Sequence, residues 1–246
     1  MTTGLTYSSY QTQMAEMAVV SPTDPNFLAI LPAMIDYAEL RIYRDLDLLA
    51  SVTTATQAMT AGTRAVTFPQ FVTVQQINVI TPAGTTSPDA GTRAPLLPVT
   101  KEFIDINYPS ASYTDVPAYF APQSQSNTGT TPTTQTLNTF LVAPFPNGVY
   151  TLEIVGTYRP ASLSATNPQT FISQNLPDVF LIASMVYISA YQRNFGRMSD
   201  DPQMAVSYES QYQALIKGAT VEEFRKKFEA GGWSSMSPAT VATPGR

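Results

Sequence analysis

The chain has 246 residues, 13 Lys and Arg against 18 Asp and Glu, a net charge of −5, and neither cysteine nor histidine. Those absences exclude disulfide scaffolds, zinc fingers and thiol enzymes, and leave no imidazole for a Ser-His-Asp triad or most catalytic metal sites. Charged residues are only 13%, about half the usual ~25%, and the acidic balance lacks the basic stripe of a general nucleic-acid binder.

Residues 1–20 carry no basic n-region, and the run 14–20 contains Glu16, so they read as an N-terminal segment rather than a leader. A helix is predicted from Asp24. Its side chain can accept from the free amides of the first turn, and Pro25 at N1 has no donor to waste there. Phe27, Leu31, Met34, Ile35, Ala38, Ile42, Leu46 and Leu49 then recur at three- and four-residue steps as one apolar stripe. Pro32 inside that pattern predicts a kink or a break with a restart. Asp36, Glu39, Arg41, Arg44, Asp45 and Asp47 are assigned to the opposite face, either solvated or turned to a neighbouring subunit.

The middle of the chain is rich in Thr, Val and Pro, and segments 64–68, 71–81, 118–122, 137–143 and 150–158 read as strands. Asn147-Gly148 between the last two predicts a hairpin of 137–143 with 150–158. Segment 100–107 reads as a short helix, and the uncharged, polar 123–136 as an exposed flexible loop. A second helix starts at Pro177-Asp178 and is apolar almost all round, which predicts burial on every side. Its uncharged run, 179–192, is too short for the ~20 residues a membrane span needs. A third starts at Asp201-Pro202 and should end at Gly218. Thr220-x-x-Glu223 then reads as a capping box for a short amphipathic helix containing Val221, Phe224 and Phe228, broken by Gly231-Gly232.

Residues 51–175 hold nine charges and the rest of the chain 22, which matches the change of periodicity. The expected fold is therefore α+β. A helical bundle of 21–60 and 168–230 receives an inserted antiparallel β-sheet or sandwich module, 61–167, and carries an extended C-terminal arm, 231–246.

Motifs that carry chemistry are mostly absent. There is no glycine-rich phosphate loop, nucleophile elbow, Ser-x-x-Lys, calcium-loop spacing or Asn-x-Ser/Thr sequon. Asp200-Asp201 reads as a helix cap. Asp36, Glu39 and Asp45 share their helix with Arg41 and Arg44, which favours a charged face, with Arg41–Asp45 and Arg44–Asp47 as local pairs, over a metal or glycosidase site. Arg225-Lys226-Lys227, a candidate phosphate contact, is flanked by Glu222, Glu223 and Glu229 and reads as an ordinary helix face. Trp233, the sole Trp, follows the Gly-Gly hinge. It either tucks back onto Phe228 or anchors a partner. No catalytic, cofactor-binding or metal-ligating residue is assigned, and no enzyme is expected.

The segment FLAILPAMIDYAELRIYRDLDLL (27–49) resembles the opening helix of the head–tail adaptor (connector) proteins of tailed phages, of the short-tailed type. Ala38, Glu39, Arg41, Ile42, Arg44, Asp45 and Leu46 carry that likeness. In the order the family shows, Thr67-Phe68-Pro69, Val116-Pro117-Ala118-Tyr119-Phe120, the stretch 142–160, the stretch 163–178 and the Tyr208-x-x-x-Tyr212 helix follow. The likeness covers roughly residues 25–230. Val116 stands where a Gly before the Pro is expected, and 123–136 is longer than expected.

The resemblance implies a structural virion protein at the neck, made in the host cytoplasm, as a homo-oligomeric ring of twelve copies. The ring would join the portal protein to the tail or nozzle protein, with double-stranded DNA passing through its lumen without specific binding and with no membrane involved. The arm would grip the portal through Trp233, Met236, Pro238, Val241 and Arg246. Glu39, Arg41, Arg44, Asp45 and Asp47 would meet the neighbouring subunit. The alternatives are another virion role, such as a tail-completion or decoration protein, or a glycan-binding or carboxylate-based glycosidase module on Asp89, Glu102, Asp105, Asp115 and Glu153.

Overall fold

The computed structural model describes residues 4–69, 71–128, 135–192 and 204–232. The chain divides into two units, residues 1–50 with 160–246 and residues 51–159, so the second is inserted into the first. The structure is α+β.

The first unit is helical. Asp24 caps α2 (Pro25–Asp45) by accepting from the amides of Asn26 and Phe27, as its sequence dictates. Pro32 does not break it: α2 is continuous. Pro32 and Leu28, whose carbonyl loses its donor, both lie on the exposed face, where water can replace the bond. The stripe from Phe27 to Leu46 is buried, but Leu49 lies beyond the helix and is exposed, and Leu48 takes the interior position. α5 (Pro177–Gln192) sits at the centre of this core: Val179, Phe180, Ala183, Met185 and Ile188 are all buried. Burying each large apolar side chain there contributes about 1.5–3 kcal/mol.

Two helices have no apolar period strong enough to announce them. α1 (Tyr7–Met17) buries only Tyr10, Met14 and Ala15. Its Tyr10 ring stacks on Phe180 at 4.6 Å, and the hydroxyl shares a 2.6 Å hydrogen bond with Ser184. α4 is the short Phe171–Asn175. Both start with a capping box whose third helical residue is Ser, at Thr6/Ser9 and Thr170/Ser173, rather than Glu or Gln.

α6 (Met204–Gly232) runs unbroken through the predicted stop at Gly218, the predicted restart at Thr220 and on to Gly231-Gly232. Tyr212, Ile216 and Ala219 bury one continuous face across Gly218, and this packing outweighs the glycine's poor propensity. Thr220 does not cap; its hydroxyl donates to the Ile216 carbonyl one turn back. Val221 and Phe224 face outward instead of inward.

The second unit holds two four-stranded sheets. One has the order β1 (Val52–Ala58), β10 (Thr151–Tyr158), β3 (Phe71–Thr81), β4 (Thr92–Pro95), all antiparallel. The other has the order β2 (Ala65–Pro69), β8 (Gln135–Ala143), β7 (Tyr119–Thr128), β5 (Leu97–Pro98), with only β5 parallel to its neighbour. Ile77, Val79, Leu152 and Ile154 from the first sheet and Val66, Phe68, Phe140 and Val142 from the second make one core, so the module is a sandwich. The alternate residues Ala121, Leu141 and Ala143 point the other way, under Ile104 of α3 (Lys101–Asn107), which Thr100 caps.

The predicted hairpin of 137–143 with 150–158 does not form, because β8 and β10 lie in different sheets. Each is an inner strand with both edges taken. The intervening residues are engaged elsewhere: β9 (Phe145–Pro146) pairs in parallel with β6 (Thr114–Asp115), and the Asn147 amide donates to the Asp115 carbonyl. The Asn-Gly signal therefore marks a crossing between sheets. Nor is 123–136 simply a loop. Ser124–Thr128 pairs in register with Gln135–Thr139 as a polar ribbon, past a register shift at Pro122/Ser124.

Candidate functional site

The charged residues of α2 do not share one face. Glu39 is only 3% exposed. It accepts from the Leu163 amide at 3.2 Å and the Thr170 hydroxyl at 3.3 Å, so it pins α2 to the segment leading into α4. Burial pushes its carboxyl above the usual range, opposed by those bonds. The assignment of Glu39 to an outward face is thus corrected. The spacing held a signal for this: Glu39 follows Ile35 by four and precedes Ile42 by three, which places it on the apolar stripe.

Arg41 reaches α6. Its guanidinium meets the Glu209 carboxylate at 2.5 Å and Asp45 at 3.7 Å, and lies 4.1 Å over the Tyr212 ring. The Tyr212 hydroxyl donates to Asp45 at 2.7 Å. Burial, then the neighbouring Asp45, pushes the Tyr212 phenol well above its ordinary value, so it stays a donor. The Arg41 hydrogen bond holds the Glu209 carboxyl below the usual range. The pair Arg41–Asp45 forms as predicted, but Asp47 pairs with Lys227 of α6 instead of Arg44. Arg44 is exposed. Four charged or phenolic groups on two helices thus lock α2 against α6, a long-range arrangement that no local spacing encodes.

Two of the three cations of the α6 cluster, Lys226 and Lys227, are likewise paired, and Arg225 is exposed. Lys226 contacts Glu222 at 2.9 Å and Glu223 at 2.8 Å, and the buried Glu223 also accepts from the Leu49 amide. In the sandwich, Arg93 joins Glu153 at 2.9 Å and Asp89 at 2.9 Å, and Asn78 donates to the same Glu153. The Arg93 hydrogen bond, the largest influence, holds Glu153 below the usual carboxylate range. Asp105 pairs with Arg64 at 3.0 Å, and Asp115 accepts from the adjacent Val116 amide. Three of the five glycosidase candidates are therefore neutralised by arginine, and among the described residues no group of three or more acids could hold a metal.

A cavity of about 320 Å³ lies along the β7–β8 ribbon, lined by Val72, Pro122, Gln125, Asn138 and Phe140 among others, with no titratable side chain in its wall. Asp200-Asp201, Trp233, Met236, Pro238, Val241 and Arg246 lie outside the described residues.

The family model for the SU10 adaptor protein matches residues 5–241. The chain belongs to the SU10 adaptor protein family. It is a phage head–tail adaptor and a structural component of the virion. The match spans the helical unit and the inserted sandwich alike, and the resemblance read from 25–230 is borne out as one to phage head–tail adaptors. No curated protein matches the chain. No helix among the described residues is long and apolar enough to cross a membrane.

Proposed function

We propose that this adaptor assembles into a closed ring of twelve copies between the portal and the tail or nozzle proteins at the neck of a short-tailed phage. The ring forms while the particle is built in the host cytoplasm, and its lumen is part of the path taken by double-stranded DNA. The family match over residues 5–241 carries this reading. The charge supports it: attraction to phosphates needs Lys and Arg, and this chain has a net charge of −5, so duplex passes without being held. A heterologous contact that closes on itself generates a ring. The exposed Arg44, with the outward sides of Asp45 and Asp47, is the part of the charged segment still available for such a contact. Residues 233–246, with Trp233, Met236, Pro238, Val241 and Arg246, form the portal grip. A large aromatic at the root of such a segment suits an interface anchor.

The test is the native mass of the full chain, alone and with the portal protein of its phage. A species near twelve times 26.7 kDa is expected in at least one of the two. A chain that stays monomeric in both refutes the ring. Deleting 233–246 should leave helical circular dichroism intact and abolish portal capture; capture that persists refutes the grip.

A further inference from the structure

Four strands form the outer edges of the two sheets: β1, β4, β2 and β5. An open edge presents unpaired N–H and C=O groups, and proteins blunt such edges with proline, charge, bulges or brevity. Three of the four are blunted that way. β4 has four residues including Arg93 and Pro95; β2 ends in Pro69; β5 is the dipeptide Leu97–Pro98. β1 has none of these devices. It is Val-Thr-Thr-Ala-Thr-Gln-Ala, seven residues with no proline and no charge, in unbroken register against β10 from Val52↔Thr157 to Ala58↔Thr151. Among the described residues no strand covers its other side.

The β1–β10 ladder fixes the polarity of that edge. The Met59 amide donates to the Tyr150 carbonyl, which continues the β1–β10 ladder by one pair. Antiparallel pairs alternate between hydrogen-bonded and not. Gln57, Ala55 and Thr53 therefore turn their main chain to β10, and Thr54, Thr56 and Ala58 turn theirs outward.

The same chain carries a second open edge of similar kind. β5 covers β7 only at Tyr119 and Phe120. Past the register shift at Pro122/Ser124, the outer side of Ser124–Thr128 has no partner among the described residues. That stretch, Ser-Gln-Ser-Asn-Thr, is also uncharged. The outer side of Val72–Gln76 in β3 also lies beyond the residues that β4 covers, but two register shifts against β10 break that stretch, and bulges blunt an edge. β1 and Ser124–Thr128 are therefore two unlike edges of the kind a head-to-tail assembly requires, since each copy must offer two unlike surfaces.

We infer that the β1 edge of one copy receives the Ser124–Thr128 strand of the next, so that the first sheet is extended across the subunit boundary by main-chain hydrogen bonds. β1 contributes Thr and Gln and the other strand Ser, Gln, Asn and Thr, with no charge on either, so the joint is specified by backbone pairing, as in other strand additions. The inference rests on the ring proposed above and names the contact that closes it.

The experiment uses the full chain under the condition in which the wild type assembles. Thr54→Pro and Thr56→Pro remove outward amides only, a place where an edge strand tolerates proline, so the β10 ladder is kept. The expected result is a folded chain, unchanged in circular dichroism, that no longer forms the ring. Variants that still form rings overturn the edge pairing and leave the ring itself standing. A wild type that forms no ring, with or without portal, overturns the ring and this contact together. A second measurement does not depend on proline. The chain has no cysteine, so Thr56→Cys copies can be mixed with Gln125→Cys copies and treated with a short bis-maleimide. A mixed dimer that appears only with both variants present is expected. Rings without that product overturn the pairing, as do dimers formed by Thr56→Cys alone, which would place β1 against β1.

Discussion

Glu39 offers the sharpest test of the helical unit, because two substitutions separate its role as acceptor from its charge. Glu39→Ala leaves the Leu163 amide and the Thr170 hydroxyl without this acceptor, and both residues are buried, at 2% and 8% exposure. An unsatisfied buried donor costs about 1–3 kcal/mol, and a hydroxyl that can rotate toward another acceptor falls at the low end, so a loss of about 2–4 kcal/mol is expected. Glu39→Gln keeps an acceptor oxygen in the same place and removes a charge that burial disfavours. It should lie within about 1 kcal/mol of wild type at neutral pH.

The pH dependence follows from the sign of the shift. The folded-state pKa of Glu39 is raised, so between the unfolded value near ~4.3 and the raised folded value the native state holds more protons than the unfolded one. Stability from this site is therefore greatest below the unfolded value and falls as pH rises through the folded one. The difference between wild type and Glu39→Gln, measured by urea unfolding followed through the helical circular dichroism signal, should move against wild type across that window. An Ala variant as stable as the Gln variant would refute the reasoning, since it would mean that the two donors do not depend on Glu39.

Gly218→Ala should stabilise the chain by about 0.5–1 kcal/mol, because nothing lies within 4 Å of the added Cβ and the residue is inside α6. Destabilisation in the same urea assay would mean that Gly218 ends a helix after all. Gly156→Ala should cost about 1–3 kcal/mol. Its Cβ would press on the Thr73 carbonyl and come within 2.8 Å of the Phe71 ring at the register shift between β10 and β3, and a thermal melt of the variant reads the loss. Arg93→Ala leaves Glu153 with only Asn78 and returns its carboxyl toward the ordinary range. The lowered pKa stabilises above the unfolded value and is lost as pH falls through the folded one. The variant should therefore lose the part of the acid-induced decline in stability that Glu153 contributes, and an unchanged acid profile would count against the pairing.

Local physics was enough for much of the fold. Asp24-Pro25 could only start a helix, the stripe from Phe27 to Leu46 could only face a core, and Thr100 capped the helix it was expected to cap. α5 was legible because a helix apolar on every side has nowhere to go but the interior. The motifs that resemble the adaptor family are mostly these same core and turn residues, so the family was readable where the site was not.

The remaining features depended on partners distant in sequence. Asn147-Gly148 is good turn chemistry, yet whether a turn joins neighbours in one sheet or crosses to another depends on which edges are already occupied, and β10 had both of its edges filled by β1 and β3. Gly218 opposes a helix by roughly 1 kcal/mol, and the face formed by Tyr212, Ile216 and Ala219 on either side of it overrode that preference. Glu39 looked like surface because it is charged, and it became interior because Leu163 and Thr170 supply donors from more than a hundred residues away. The sequence by itself determined where helices begin, which stripes are apolar, and that no nucleophile or metal chemistry of the His or Cys kind is available. Strand order, the pairing of Arg41 with Glu209, and the choice of which edge stays open were decided only by the tertiary structure, because each is a contest among contacts whose members are far apart in the chain.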